Sequence, residues 1–342
     1  MENCQCPKYG FCKYYNQEMT YDPPNWQWCQ SASEQDRADY KKQCEKKHAR
    51  EKLELDKFSD AQYITNAQLI RDCKNSLLPQ IANLHIKGIL GLPRSGMFPA
   101  SMIAMWLNLP LYFLDPQGNL LPMSGATKFG GVRMLDHKGS NGRLLVVDDT
   151  VYSGKAMKNI KSKLLEDVYS CAVYVKPASK DVVDFYGKQL NHPHLLEWNL
   201  FNCTYIQDSL LDFDGIFCPN VPFEILEDEE KHKEWLSNVK PFYHRLPKSK
   251  CKGIVTARFE RYRGITEDWL KRYDIKYESL TMMPNEMEED RLRDHVETSS
   301  TYKAKHFVES DAKFFIESEV PEAIRIRKKS GKFVICPEEK DG

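Results

Sequence analysis

Residues 143–157 read RLLVVDDTVYSGKAM, and this stretch constrains the fold more tightly than any other part of the chain. Leu144, Leu145, Val146 and Val147 form an unbroken apolar run, the pattern of a parallel strand buried on both faces. Two carboxylates, Asp148 and Asp149, end the run. A turn of small and hydroxylated residues follows at 150–154, and GKAMKNIKSKLLE then takes up a helical apolar spacing. The free amides at such a helix start, with the hydroxyls of Thr150 and Ser153, suit a phosphate dianion. Gly154 lets the backbone approach that anion. The two aspartates supply acceptors for hydroxyl groups beside it. Strand, acids, hydroxyl turn and helix therefore fit a phosphorylated sugar. Gly154-Lys155 does not make a Walker-type loop, because Ala156 stands where that loop needs Ser or Thr.

Around this stretch the chain alternates strands and helices. Residues 67–81 have helical spacing, 86–90 suit a buried strand, 91–96 (GLPRSG) a turn, and 99–107 a helix beginning with proline. Strands are expected again at 111–114 and 169–175. Strand, turn, helix, strand is a parallel βαβ unit, and residue 144 starts another.

The acidic motif DDTVYSG and the turn LPRSGM together resemble the two diagnostic elements of the type I phosphoribosyltransferases, over roughly residues 60–190. Thr150 and Tyr152 are more polar or bulkier than the common residues at their places. The resemblance implies that Asp148 and Asp149 hold the ribose hydroxyls of 5-phosphoribosyl 1-pyrophosphate (PRPP). Thr150, Val151, Tyr152, Ser153 and Gly154 would hold its 5′-phosphate, and Arg94, Ser95 and Gly96 its pyrophosphate. It also implies Mg2+ and a homodimer formed through this domain. The Gly-rich segment between the two motifs corresponds to a mobile hood, with Lys128 and Arg133 as candidates to neutralise departing pyrophosphate; a plain solvent loop fits the same residues. Closure of a hood excludes water and limits hydrolysis of PRPP. The nitrogenous acceptor is not legible.

A second pattern begins near residue 200. Residues 209–211 (SLL) lead into Asp212, Phe213, Asp214 and Gly215. GIVT is a strand pattern ending in Thr256, Lys303 lies further on, and AKFFIESE reads as a strand ending in Glu317 and Glu319. A DxDG alone also occurs in calcium loops and turns. In this order, however, the four elements resemble the haloacid dehalogenase (HAD) phosphatase superfamily over about 203–337. That resemblance makes Asp212 the nucleophile and Asp214 the general acid and base. Thr256 would bind phosphoryl oxygens and Lys303 would neutralise charge, with Lys305 as a substitute. Asp212, Asp214 and Glu317 would hold Mg2+, with Glu319 as a further candidate. A HAD-like domain without catalysis fits the same motifs. The stretch between Asp214 and Thr256 is short, so any cap is small and the site open.

Five of the eleven cysteines lie in the first 44 residues. Cys4, Cys6, Cys12, Cys29 and Cys44 sit among Tyr and Trp with almost no aliphatic residues, too few to build a core. Zinc or an iron–sulfur cluster on Cys6, Cys12, Cys29 and Cys44, with Cys4 as substitute, would order the segment; free thiols on an arm are the other reading. Residues 36–56 have the composition of a solvated linking helix. Lysine plus arginine equals aspartate plus glutamate, 49 each, which argues against nucleic acid as the main partner. No signal peptide or membrane-length apolar run is visible, so a cytoplasmic protein is expected.

The expectation is an α/β chain of two doubly wound parallel-sheet domains, 51–198 and 199–342, behind a Cys-rich segment and linker at 1–50. Its activities would be PRPP-dependent ribosyl transfer and phosphomonoester hydrolysis, the second acting on the first's product or on another ester. The alternative makes the first domain a PRPP or nucleotide sensor attached to a phosphatase.

Overall fold

The structure is a computed structural model that describes residues 62–115, 117–123, 128–129, 132–133, 142–164, 166–191, 194–226 and 228–337. The five amino-terminal cysteines and the linking helix at 36–56 lie outside the described residues. Two compact units divide the described chain between Trp198 and Asn199.

The first unit runs through β1 (Gln62–Ile64), helix α1 (Asn66–Asp72), β2 (Ile86–Gly91), α2 (Met97–Leu107), β3 (Leu111–Leu114), β4 (Leu120–Pro122), β5 (Lys128–Phe129), β6 (Val132–Arg133), β7 (Arg143–Val151), α3 (Lys155–Lys163), β8 (Val168–Val175), β9 (Phe185–Gln189) and β10 (His194–Leu196). Thr65 caps α1, its hydroxyl accepting from the Gln68 amide at 3.1 Å. The helical path continues through Cys73–Leu77 and Leu78–Ile81, as the spacing at 67–81 requires. Six strands form one sheet in the order β4-β3-β2-β7-β8-β9, parallel except for β4 on β3. A separate pair joins β1 and β10.

Apolar alternation along β7 builds a core on each face of that sheet. Leu145 and Val147 pack with Leu69, Leu77 and Ile103, whereas Leu144 and Val146 pack with Leu90, Met157 and Val175. A strand with period-two side chains and helices on both faces gives this result.

One expectation needs correction. β7 does not stop at Val147 but stays paired with β8 through Thr150 and Val151, opposite Tyr174 and Val175. The long, mostly buried β8 keeps offering backbone partners, so the acids lie inside the strand and the turn is only Tyr152 to Gly154.

The second unit runs through β11 (Ser209–Leu211), α4 (Glu229–Asn238), β12 (Gly253–Phe259), α5 (Arg263–Arg272), β13 (Leu280–Met283), α6 (Glu288–Arg293), α7 (His295–Glu309), β14 (Phe314–Ile316), α8 (Val320–Ser330) and β15 (Phe333–Ile335). Its five strands are all parallel in the order β13-β12-β11-β14-β15, so the strand before Asp212 is central. Asp294 caps α7 by accepting from the Glu297 amide at 3.0 Å, and Gly331 ends α8 in the left-handed region at φ 67°. β12 also runs past its expected end, to Phe259, with a register shift between Thr256 and Phe259.

Candidate functional site

In the first unit the two motifs leave the same edge of the sheet, because β2 and β7 are parallel neighbours. Leu92 donates its amide to the Val147 carbonyl at 2.9 Å, carrying the pairing into the 92–97 turn. Gly96 then packs directly on β7. A Cβ there would lie 2.8 Å from the Val147 oxygen and 3.0 Å from Asp148 Cα. No side chain fits, so the glycine is what lets the two loops meet. The Pro93–Arg94 peptide is cis. Arg94 has an exposed side chain at the rim of this turn.

The two acids have different surroundings. Asp149 is 2% exposed, with Ser95 donating its hydroxyl to Oδ1 at 3.1 Å and Trp198 its indole N–H to Oδ2 at 2.7 Å. Asp148 is half-buried, and its Oδ1 accepts from the Asp149 amide at 3.0 Å. Burial, and after it the charge of Asp149, pushes the Asp148 carboxyl up to about 8. Asp149 is thus enclosed by neutral donors while Asp148 reaches the opening.

Beyond the acids, Thr150 Oγ1 lies 3.3 Å from His194 Nε2. Val151, expected in the turn, ends β7 with its side chain buried in the core and its carbonyl accepting from the Lys176 amide at 3.1 Å, so it does not face a ligand. Tyr152 is 46% exposed, and Lys176 sets its ammonium 4.7 Å over that ring. Ser153 Oγ accepts from the Lys155 amide at 3.5 Å at the start of α3. Gly154 has φ 75°, and a Cβ would come within 2.5 Å of Val182 Cγ1. Glycine is required there both for its dihedral and for space. Lys128 and Arg133 are register partners in the β5–β6 pair, and the roles expected of their side chains fall outside the described residues.

Three residues of this site escaped the sequence reading: Lys176, His194 and Trp198. Lys176 ends a strand pattern and was open to recognition. His194 and Trp198 lie more than 40 residues from their partners, and no local spacing announces them.

In the second unit Asp212, Lys303 and Glu317 converge. The Lys303 ammonium lies 3.0 Å from Asp212 Oδ2, 2.8 Å from Glu317 Oε2 and 2.8 Å from Glu322 Oε2, and all four side chains are buried. Burial opposes the lysine's charge, but the three carboxylates outweigh it and hold the ammonium well above the ordinary lysine range. Burial in turn pushes Asp212, Glu317 and Glu322 upward. Asp212 Oδ1 carries no hydrogen bond among the described residues, so one oxygen is anchored and the other presented.

Asp214 is held otherwise. Arg258 grips it as a fork, Nε to Oδ2 at 2.8 Å and Nη2 to Oδ1 at 2.6 Å, and stacks 3.8 Å over the Phe213 ring. Thr256 Oγ1 accepts from the Arg258 amide at 3.2 Å, which leaves its hydroxyl proton for another acceptor. Arg258 follows Thr256 by two, and a period-two reading of the strand would have found it. Glu322 was likewise missed, and it rather than Glu319 completes the lysine's shell. It also joins His295, whose Nδ1 lies 3.4 Å from Glu322 Oε1. Lys305 is exposed, so the lysine of the cluster is Lys303.

The Mg2+ expected on Asp212, Asp214 and Glu317 does not fit these donors. Arg258 takes both oxygens of Asp214. Glu317 Oε1 accepts from the Ser318 and Glu319 amides at 2.9 and 3.2 Å, while Oε2 takes Lys303. Among the described residues no group of three or more His, Cys, Asp or Glu is arranged to hold a metal ion. Nor, among them, is any helix long and apolar enough to cross a membrane.

No protein-family model matches the chain. Among curated proteins, the xanthine-guanine phosphoribosyltransferase of Chromohalobacter salexigens is 29% identical over 142 residues, covering 39% of this chain and 80% of that protein. The enzyme of the same name from Nitratidesulfovibrio vulgaris is 24% identical over 146 residues, covering 43% and 86%. Among solved structures, a purine phosphoribosyltransferase from Pyrococcus horikoshii is 18% identical, covers 41% of this chain and 95% of its own, and superposes with a TM-score of 0.30. Over part of its length, then, the chain is similar to xanthine-guanine phosphoribosyltransferases.

Proposed function

We propose that the first unit transfers the phosphoribosyl group of PRPP to a nitrogen of a purine-like base. The observation that carries this reading is the junction of the two loops at Gly96, which sets an arginine-bearing turn against an acid pair and a helix start. The similarity to xanthine-guanine phosphoribosyltransferases, of a length that fits Asp60–Trp198, supports it. The 5′-phosphate docks on the Ser153–Gly154 turn and the amides opening α3. Asp148 accepts from a ribose hydroxyl. Arg94 and the Ser95 and Gly96 amides receive pyrophosphate, which enters as the magnesium complex of the substrate. The anomeric carbon loses pyrophosphate and takes the base nitrogen through an oxocarbenium-like state, so groups that hold both ends in line lower the barrier. Incubation with PRPP, Mg2+ and xanthine, guanine, hypoxanthine and adenine in turn should release pyrophosphate with one or more of them. No release with any base, despite PRPP binding, would favour a PRPP-sensing domain.

For the second unit we propose phosphate-ester hydrolysis of the HAD type. The supporting observation is Asp212, one oxygen presented, at the end of the central strand of a parallel 3-2-1-4-5 sheet with Lys303 against its other oxygen. Asp212 attacks phosphorus, the ester oxygen leaves with a proton from Asp214, and water that returns a proton to Asp214 cleaves the phospho-aspartate to release phosphate. For either proton transfer Arg258 must let go of one Asp214 oxygen. The transferase product carries a phosphate ester, so the two activities are consecutive by chemistry. Inorganic phosphate following pyrophosphate in the base assay is the expected result; pyrophosphate alone overturns the coupling. The amino-terminal thiols are proposed to hold one zinc or one iron–sulfur cluster, which elemental analysis and a visible spectrum of anaerobically purified protein decide.

A further inference from the structure

We propose that Trp198 is a positioning residue for the ribose site: it locks Asp149 in place and, through it, couples the acid pair to the pyrophosphate turn. The inference rests on reading the first unit as a PRPP site and adds a residue that neither motif contains.

Asp149 accepts from two directions, the Ser95 hydroxyl at 3.1 Å and the Trp198 indole at 2.7 Å. Ser95 belongs to the pyrophosphate turn. Trp198 arrives from the far end of the unit, and its ring also meets Phe98 edge-on, with centroids 6.5 Å apart at 76°. Phe98 lies in α2, three residues after Ser95. Turn, acid, indole and helix therefore close a circuit, in which a shift at any member is felt by the others.

Trp198 is itself fixed before any ligand arrives. Its neighbour Glu197 accepts the Asn66 amide at 2.5 Å at the start of α1, and β10 pairs with β1 through Leu196 and Ile64. The same short segment sends His194 to Thr150. One edge of the 190s thus contacts two successive residues of the PRPP motif, an acid and the threonine that follows it in β7. An indole is suited to this task because it donates one hydrogen bond and accepts none. It can orient a carboxylate without competing for the ribose hydroxyls that the carboxylate pair must receive. A cation in that place would hold the acid more strongly but would also draw pyrophosphate toward the ribose.

The experiment uses the full chain, with Trp198→Phe and Asp149→Asn singly and together. Trp198→Phe keeps the ring contact with Phe98 and removes only the donor. We expect KM for PRPP to rise ~10-fold, the size of one lost hydrogen bond to a charged group, with KM for the base unchanged. The double variant should be no worse toward PRPP than Asp149→Asn alone, since the indole acts through that carboxylate. Titration with Mg2+–PRPP should also change the tryptophan fluorescence of the parent protein by an increment that Trp198→Phe lacks. A merely structural tryptophan would lower thermal stability but leave KM for PRPP and the fluorescence increment intact, and that result overturns the proposal. So does an additive double variant. Absence of any PRPP binding by the parent protein removes the PRPP reading itself, and the inference with it.

Discussion

Each unit places an aspartate pair at the carboxyl edge of a central parallel strand, and the two pairs are held by opposite means. Asp148 and Asp149 are adjacent, and the enclosed member is bound by neutral donors, a hydroxyl and an indole. Asp212 and Asp214 are two positions apart and are bound by cations, an ammonium and a guanidinium. Neutral donors orient a carboxylate at little electrostatic cost, so its partner can exchange hydrogen bonds with uncharged sugar hydroxyls. Cations neutralise the carboxylates, which is what a phosphoryl dianion needs before it can approach a nucleophilic oxygen. The contrast follows from the ligand each edge must receive.

The strongest way to break this comparison is to remove one pair and read both activities. Asp212→Asn should lower phosphate-ester hydrolysis by ~10³-fold or more, the scale seen when a nucleophile is deleted. Pyrophosphate release by the first unit should be unaffected. If both fall together, the pairs do not serve separate sites.

Lys303→Met tests the cationic clamp. It leaves Asp212, Glu317 and Glu322 buried without their common partner, and a loss of ~3–5 kcal/mol is expected from urea unfolding of the full chain. A loss confined to the transition that also responds to Asp212 variants would place the effect in the second unit; no measurable loss would mean that the carboxylates take up protons instead.

Removing the charge of Asp149 should cost less. Asp149→Asn turns one acceptor into a donor facing either Ser95 or Trp198, so ~1–3 kcal/mol of stability should be lost along with PRPP affinity. Affinity lost with no change in melting would show that burial at this position carries little energy.

The smallest effect is expected on pH dependence, because Asp148 is only half-buried and solvent screens its field. The folded carboxyl of Asp148 lies near 8 against an ordinary 3.8, so the folded state binds the proton more tightly than the unfolded chain. Its contribution is complete below the ordinary value and is lost as pH rises through the folded one. The melting temperature of the ligand-free protein should therefore decline between pH ~4 and ~8, and Asp148→Asn should flatten that decline. An unchanged slope would remove Asp148 as its source.

The residue pattern by itself placed the central strands of both sheets, and with them the edges at which chemistry could gather, but not outer strands such as β9, β13 and β15. Strand 111–114 and strand 209–211 stand where the sequence places them, because short, mostly apolar runs bounded by turn residues suit strands. The two loops of the first unit were legible for the same reason: glycine, hydroxyl and acid side chains at fixed offsets have few other uses. What only the tertiary structure decided is which oxygens are already taken. Trp198 reaches Asp149 across 49 residues and Arg258 reaches Asp214 across 44, distances at which no local periodicity operates. The same holds for Glu322, which enters the lysine cluster because α8 begins a short turn after β14 and its first residues are buried. Strand extent was also decided by partners: β7 runs through its acids because β8 is long enough to pair with them. Local sequence sets where a chain can bend, whereas hydrogen-bond saturation depends on what the fold brings against it.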